Sequence, residues 1–357
     1  MIHLLFTKDS NWLQKWDDFL LTEDCGSHLL YSDWLKSYTS YGFNYEVFLV
    51  LDNDKIVGGF GVVIAKFLFF KFYIIPHGPI LKSSYDIYLQ EVVDKIKGRA
   101  KELGCCYAQY SLPISDEVQI KSKTFSVSDI KDLKLSGKKG NLFKFVYSSY
   151  GINWVDFSNA NSSEQLINQF TAQVRRNINL SYKTNAEIHY AKSEEECRLA
   201  YKAIEDNALQ GNYTVRSFND FKDTILNLVE KNRAFLIFIT IDDQIKGAGF
   251  AVNCGNCLTY ISGGTQKEKP DLKLGYLIHW EFIKKSFELG FSGYNISMGG
   301  SKGVVEFKSK FNTTTAYYKE PHYHIVLKPL IFRVYTILNS IFVKNKKTIS
   351  VVLKRLK

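Results

Sequence analysis

Lys308 stands between Phe307 and Phe311 and shortly after Gly299-Gly300. Flanking aromatics can anchor the backbone while the ammonium projects into a cleft. There it could stabilise an oxyanion or contact a phosphate. The plainer alternative is a solvated lysine whose stem covers the two rings. Arg175 and Arg176 form a second cationic pair, in Gln173-Val174-Arg175-Arg176-Asn177-Ile178, a stretch that reads as helix. Consecutive helical side chains point about 100° apart, so one arginine can fork onto a diphosphate while the other meets surface acids. His77 lies in Pro76-His77-Gly78-Pro79 and is a candidate base, although a histidine in a turn is more often structural. Tyr213, Tyr260 and Tyr294 could hydrogen-bond a substrate, but a chain with 22 tyrosines singles out none of them. Cys254-Gly-Asn-Cys257 has CxxC spacing, yet Gly255-Asn256 between apolar runs reads as a hairpin turn. With no second Cys or His pair nearby, no metal site is expected.

These residues sit in a chain that repeats itself. Phe48 to Val62 reads FLVLDNDKIVGGFGV, and Phe235 to Val252 reads FLIFITIDDQIKGAGFAV. Each is an apolar run, an acidic turn, an Ile-x-Gly and a second apolar run. Each is followed by a helical pattern ending in Glu-Leu-Gly, at Glu102 and at Glu288. The offset from Ile56 to Ile245 is 189 residues, and from Glu102 to Glu288 it is 186. A nearly constant offset argues for internal duplication of an αβ unit.

Between the repeats, helices are expected over 11–19, 33–41, 83–103, 163–184, 193–210, 217–231 and 274–289. Strands are expected over the apolar run 67–75, over 188–191 and 293–298, and at 316–319 and 322–327. Residues 136–140 read as a polar excursion. Hairpins imply antiparallel pairs and helices cover the sheets, so the fold class is α/β, mixed α+β. The expected boundaries are 1–150, 151–328 and an amphipathic, basic tail, 329–357. No GxGxxG or GxxxxGK[ST] motif is present, which leaves dinucleotide-binding and P-loop readings unsupported.

The net charge of +10 is unevenly placed. Lys344, Lys346, Lys347, Lys354, Arg355 and Lys357 leave the last stretch without an acid, and the rest carries about +4. Charge alone is therefore a weak argument for RNA binding. The N-terminus shows no secretory signal and no apolar run reaches spanning length, so a cytoplasmic protein is expected. The apolar-then-basic segment 329–357 could lie on an anionic inner membrane face; the alternative is a docked helix with a loose tail.

The chain resembles the FemABX family of non-ribosomal peptidyltransferases, which are built from twin GNAT-like domains. The likeness runs over residues 25–328. It is carried by Tyr41-Gly42, Pro76 to Pro79, Arg175-Arg176-Asn177, Gly299-Gly300, and Phe307, Lys308 and Phe311. It implies two tandem GNAT-like domains, each a mostly antiparallel mixed sheet flanked by helices. It also implies transfer of an amino acid from aminoacyl-tRNA to an amine of a peptidoglycan-type precursor, with no cofactor beyond that donor. On this reading Lys308 is catalytic. Lys36, Arg175, Arg176, His77, Phe307, Gly299 and Gly300 bind substrate, and Lys36 faces the acceptor's nucleotide diphosphate. The chain departs from the family at Asn295-Ile296-Ser297-Met298, where an acidic residue is common, and at Ser111-Leu112-Pro113, where Asp-Pro is common. The family's coiled-coil arm is absent.

Two rivals remain. The BioF2-like acyltransferases share most of these features and would use acyl-CoA or an acyl-carrier protein to acylate an amino sugar of a surface polysaccharide. Their pyrophosphate loop would have to be Lys269-Pro-Asp-Leu-Lys-Leu-Gly275, which lacks the usual form. A non-catalytic GNAT-like binding protein at the membrane surface is the other, and would leave Lys308 facing solvent.

Overall fold

In the computed structural model the described residues are 2–115, 120, 122–123, 142–319 and 322–344. The polar excursion 136–140 and the basic residues after 344 lie outside them. The chain divides into two compact units. One holds Met1–Glu117, Phe125–Gly151 and Tyr317–Lys357; the other holds Val118–Thr124 and Ile152–Ala316.

The first unit opens with β1 (Ile2–Thr7), α1 (Ser10–Thr22) and α2 (Ser32–Lys36), the last continued by a 3-10 turn over Ser37–Tyr41. Asp9 starts α1 by accepting hydrogen bonds from the Asn11 and Trp12 amides. Next come β2 (Asn44–Asp52), β3 (Lys55–Phe67), β4 (Phe70–Ile74), β5 (Ile80–Leu81), α3 (Leu89–Glu102) and β6 (Tyr107–Tyr110). Val92, Val93, Ile96 and Ala100 of α3 are buried against the sheet.

The second unit contains β7 (Gly151–Asp156), α4 (Ser163–Asn168), α5 (Ala172–Tyr182), β8 (Glu187–Tyr190), α6 (Glu194–Gln210) and α7 (Phe218–Glu230). It continues with β9 (Ala234–Ile241), β10 (Gln244–Asn253), β11 (Cys257–Thr265), α8 (Leu274–Glu288), β12 (Gly293–Asn295), α9 (Lys302–Ser309) and β13 (Thr314–Tyr317). The chain then returns to the first unit as β14 (Tyr323–Val326) and α10 (Pro329–Lys344).

The duplication is visible in the pairing. In the first sheet, ordered β1-β2-β3-β4-β6-β14, β4 and β6 are parallel and α3 connects them. In the second, ordered β13-β7-β12-β11-β10-β9-β8, β11 and β12 are parallel and α8 connects them. A parallel pair needs such a crossover, while β2–β3, β3–β4, β9–β10 and β10–β11 close by hairpins. Both sheets are mixed and flanked by helices, the α/β architecture expected. The repeated Ile-x-Gly also has a structural meaning. The β2–β3 register slips between Ile56 and Gly58, and the β9–β10 register slips between Ile245 and Gly247. The middle residue of each tripeptide is thus the extra residue of a β-bulge.

Several expected elements differ. The run Phe67 to Ile75 is not one strand: Leu68-Phe69 turns a hairpin inside it. Its uniform apolarity hides the turn, because turn residues are normally polar or glycine. The helix expected over 83–103 starts as a 3-10 turn and becomes α-helical only at Leu89, so Ile87 is 81% exposed and not on the core face. The helix expected over 163–184 breaks after Asn168 and restarts with Thr171 as N-cap. The two closing strands belong to different sheets. β13 lies beside β7, whereas β14 pairs with β6, its Tyr323, Ile325 and following Leu327 packing in the first core. Residues 317–328, expected in the second half, fall in the first unit.

Candidate functional site

Lys308 lies on α9, a two-turn helix entered through a loop of unusual backbone. Ser297, Gly299 and Gly300 have φ of 65°, 75° and 117°. A side chain at Gly300 would strike Val304 Cγ1 at 2.6 Å, so both conformation and space demand glycine there. The loop folds back over α9, and the Lys308 ammonium caps it from below. Nζ donates to Ser297 O at 3.1 Å, Ser297 Oγ at 3.1 Å and Gly299 O at 3.3 Å. Asn295 Oδ1 fixes the same segment by accepting from the Ser297 and Asn153 amides.

Lys308 is 5% exposed, and among the described residues no carboxylate pairs with it. Burial lowers its pKa from the usual lysine value to about 8. Its ammonium sits 6.0 Å from the centre of the Tyr260 ring. His279 of α8 is buried beside it. Burial first, then the Lys308 charge, pushes that imidazole down to about 3, so it is neutral at physiological pH. His279 Nδ1 and the Tyr294 hydroxyl are 2.9 Å apart in a hydrogen bond. The rings of Tyr260, Phe307 and Phe311 lie 4.5, 5.5 and 5.5 Å from His279 and complete the enclosure. β11 bulges between Tyr260 and Ser262, and the Tyr260 hydroxyl lies where a Cβ on Gly263 would sit, 2.6 Å away. The result is one cation among neutral acceptors and aromatic walls. Such a group can stabilise negative charge that develops next to it.

The expected site residues are distributed as follows. Gly299, Gly300, Phe307 and Lys308 come together as one local assembly in the second unit. Arg175 is half-buried on α5, and its Nη1 donates to Asn168 O at 3.0 Å and Phe170 O at 3.2 Å, across the break between α4 and α5. Its neighbour Arg176 is exposed. Lys36 and His77 belong to the first unit. Lys36 is exposed at the end of α2. His77 is buried, and its Nε2 hydrogen-bonds the Cys25 carbonyl at 2.9 Å.

Sequence reasoning did not single out His279 or the part played by Ser297. The first lies in a helix with nine buried residues, where a polar letter among apolar ones is the available signal. The second was visible only as a departure from the family pattern. Cys254 and Cys257 close a hairpin on Gly255-Asn256, and they are not disulfide-bonded. A separate cleft of ≈ 400 Å³ in this unit is lined by Tyr190, Phe235, Glu281 and Lys285, among others, and not by Lys308.

Residues 168–309 match the family model of the acetyltransferase (GNAT) domain. No curated protein sequence matches the chain. Among solved structures, FemX superposes with a TM-score of 0.77 at 13% identity, covering 93% of this chain and 100% of its own. A C-terminal domain assigned as a lysylphosphatidylglycerol synthetase from Agrobacterium fabrum gives 0.53 at 11% identity, covering 93% and 96%. L-PGS from Bacillus licheniformis gives 0.51 at 12% identity, covering 97% of each chain. The parallel pair bridged by a helix in each sheet is thus the core of a GNAT unit present twice. Residues 168–309 match the acetyltransferase (GNAT) domain, and the chain has a FemX-like twin-GNAT fold.

Proposed function

We propose that this protein transfers an aminoacyl group from aminoacyl-tRNA to an amine of a cell-envelope precursor of peptidoglycan type. The observation that carries the reading is the buried, carboxylate-free Lys308 ammonium on a fold that matches FemX along its whole length. The neutral acceptor amine attacks the ester carbonyl, and the carbonyl electrons move to oxygen. The Lys308 ammonium stabilises that oxyanion. Collapse expels the ribose oxygen, which takes up the proton lost by the amine, and leaves an amide. No metal step is needed, because an aminoacyl ester is already activated.

Three protein acceptors occupy the Lys308 N–H groups. The Ser297 hydroxyl is the one that can rotate away without moving the backbone, so it is assigned the exchange that admits the oxyanion. Arg176 and Lys36, both exposed, are assigned to donor and acceptor phosphates. Arg175 holds the turn that presents Arg176.

One observation favours an acyl-CoA or acyl-carrier donor and an amino-sugar acceptor as the second reading. α8 begins after Lys273, which has φ 59°, and no side chain caps its first amides. Uncapped amides at a helix start suit a pyrophosphate. The non-catalytic reading expects Lys308 in solvent, and it is buried. The two enzymatic readings separate in one experiment. The protein is incubated with extracted envelope precursors plus either charged tRNA or acyl-CoA, and the products are weighed. A mass gain of one amino acid from charged tRNA supports the proposal; a gain from acyl-CoA alone replaces it with the second reading.

A further inference from the structure

Four hairpins among the described residues turn on two residues. Three use Asn53-Asp54, Asp242-Asp243 and Gly255-Asn256, all with positive φ and all suited to it. The fourth, between β3 and β4, uses Leu68-Phe69. Leu68 is held at φ 55°, a conformation that a branched apolar side chain rarely adopts. Leu68 and Phe69 are 54% and 65% exposed. Lys66 and Lys71 are paired one rung behind the Phe67–Phe70 pair, with the Lys71 ammonium donating to Leu103 O at 2.8 Å. Strain and exposed apolar surface thus converge on one turn. A strained, exposed feature of this kind points to use rather than to stability.

α10 packs against the same hairpin. The inner face of that helix is anchored: Phe332 stacks on Tyr107 at 4.6 Å, and Tyr335 meets Phe70 at 5.4 Å and Phe72 at 4.7 Å. Its outer face presents Leu330, Val334 and Ile337, which are 80%, 44% and 64% exposed and follow helical spacing. Arg333 is exposed on the same face. Phe69 lies 4.1 Å from Phe70, so a single buried ring links the hairpin tip to the helix. α10 contains no acidic residue, and the sequence beyond it adds Lys346, Lys347, Lys354, Arg355 and Lys357, again with no acid.

We propose that the Leu68-Phe69 tip and the outer face of α10 together form a docking surface for an anionic lipid bilayer. The apolar tip and stripe enter the headgroup region, and Lys66 and Arg333 meet lipid phosphates. The charge favours this occupant over a second copy of the chain, which would bring like charge against like. The proposal is independent of the transfer chemistry.

The test is co-sedimentation of the full chain with vesicles of neutral phosphatidylcholine, with and without anionic phosphatidylglycerol. Binding is expected only with the anionic lipid, and to weaken as salt rises. Two variants, Leu68→Asn with Phe69→Ser, and Leu330→Ser with Val334→Ser and Ile337→Ser, should each lose roughly tenfold or more in partitioning. All five positions are exposed, so circular dichroism melting will report that the fold is kept. Absence of binding to anionic vesicles, or unchanged binding in both variants, overturns the proposal. So does a wild-type dimer in sedimentation velocity that the variants convert to monomer, because the surface then serves self-association.

Discussion

A lysine buried without an acid partner lowers the stability of the protein that holds it. Both native and unfolded chains carry the Lys308 proton below pH 8, so the cost of burying the charge is present there in full. Between about 8 and the ordinary lysine value the unfolded chain binds more protons, and the cost is relieved as pH rises. The shift corresponds to something on the order of 3 kcal/mol. Substitution Lys308→Met removes that cost, but it orphans the acceptors on Ser297 and Gly299, worth about 1–3 kcal/mol. The two nearly cancel, so the melting temperature at pH 7 should stay within a few degrees of wild type. Activity has the opposite pH sense. If the ammonium supports the oxyanion, kcat should decline above about pH 8, as the charge is lost. Lys308→Arg, which cannot lose its proton, should flatten that alkaline limb whatever rate it retains; a pH–rate profile of both proteins checks this.

Among the elements, α5 separates two arginines of which the family resemblance favoured Arg175 for phosphate, whereas Arg176 is the exposed one. Arg175 ties the end of α4 to the start of α5 through two carbonyls, so Arg175→Ala should cost about 1.5–3 kcal/mol in denaturant melts. Arg176→Ala should leave stability within about 0.5 kcal/mol and instead raise KM for a phosphate-bearing substrate. The β3–β4 turn makes a paired prediction. Leu68→Asn puts a residue tolerant of positive φ at that turn and should stabilise by about 0.5–1 kcal/mol while weakening vesicle binding.

The legible elements were those with strong local signals. The capping box of Ser193 and Glu196 marks the start of α6, and the Asn53-Asp54 and Asp242-Asp243 turns mark two hairpins. The Leu68-Phe69 turn and the α4–α5 break were not legible. An apolar turn breaks turn chemistry, and Gln169-Phe170-Thr171 contains neither Gly nor Pro. Around Lys308, the Gly-Gly and the flanking aromatics were legible through the family resemblance. His279 and Tyr294 were not, because their hydrogen bond links positions brought together only by the packing of α8 on β12.

For the whole chain, the repeat foretold two units of like topology, but not that the C-terminus completes the first. β14 closes the first sheet against β6, and α10 covers Phe70, Phe72 and Tyr107 there. The swap is invisible to composition, since both sheets accept an alternating apolar strand equally well. Deleting residues 329–357 therefore removes two buried aromatic anchors, Phe332 and Tyr335, and should lower the melting temperature by roughly 10 °C or more. Among the described residues no helix is long and apolar enough to cross a membrane.

The claim on which the functional account turns is that Lys308 supports the charge formed when an amine attacks the carried carbonyl. Single-turnover amide formation with the productive donor, wild type against Lys308→Met at pH 7, measures it directly. A loss of 10²–10³-fold in the chemical step, with substrate binding and melting temperature preserved, is the predicted result. Equal rates in the two proteins would contradict it and return Lys308 to bracing the Ser297–Gly299 loop.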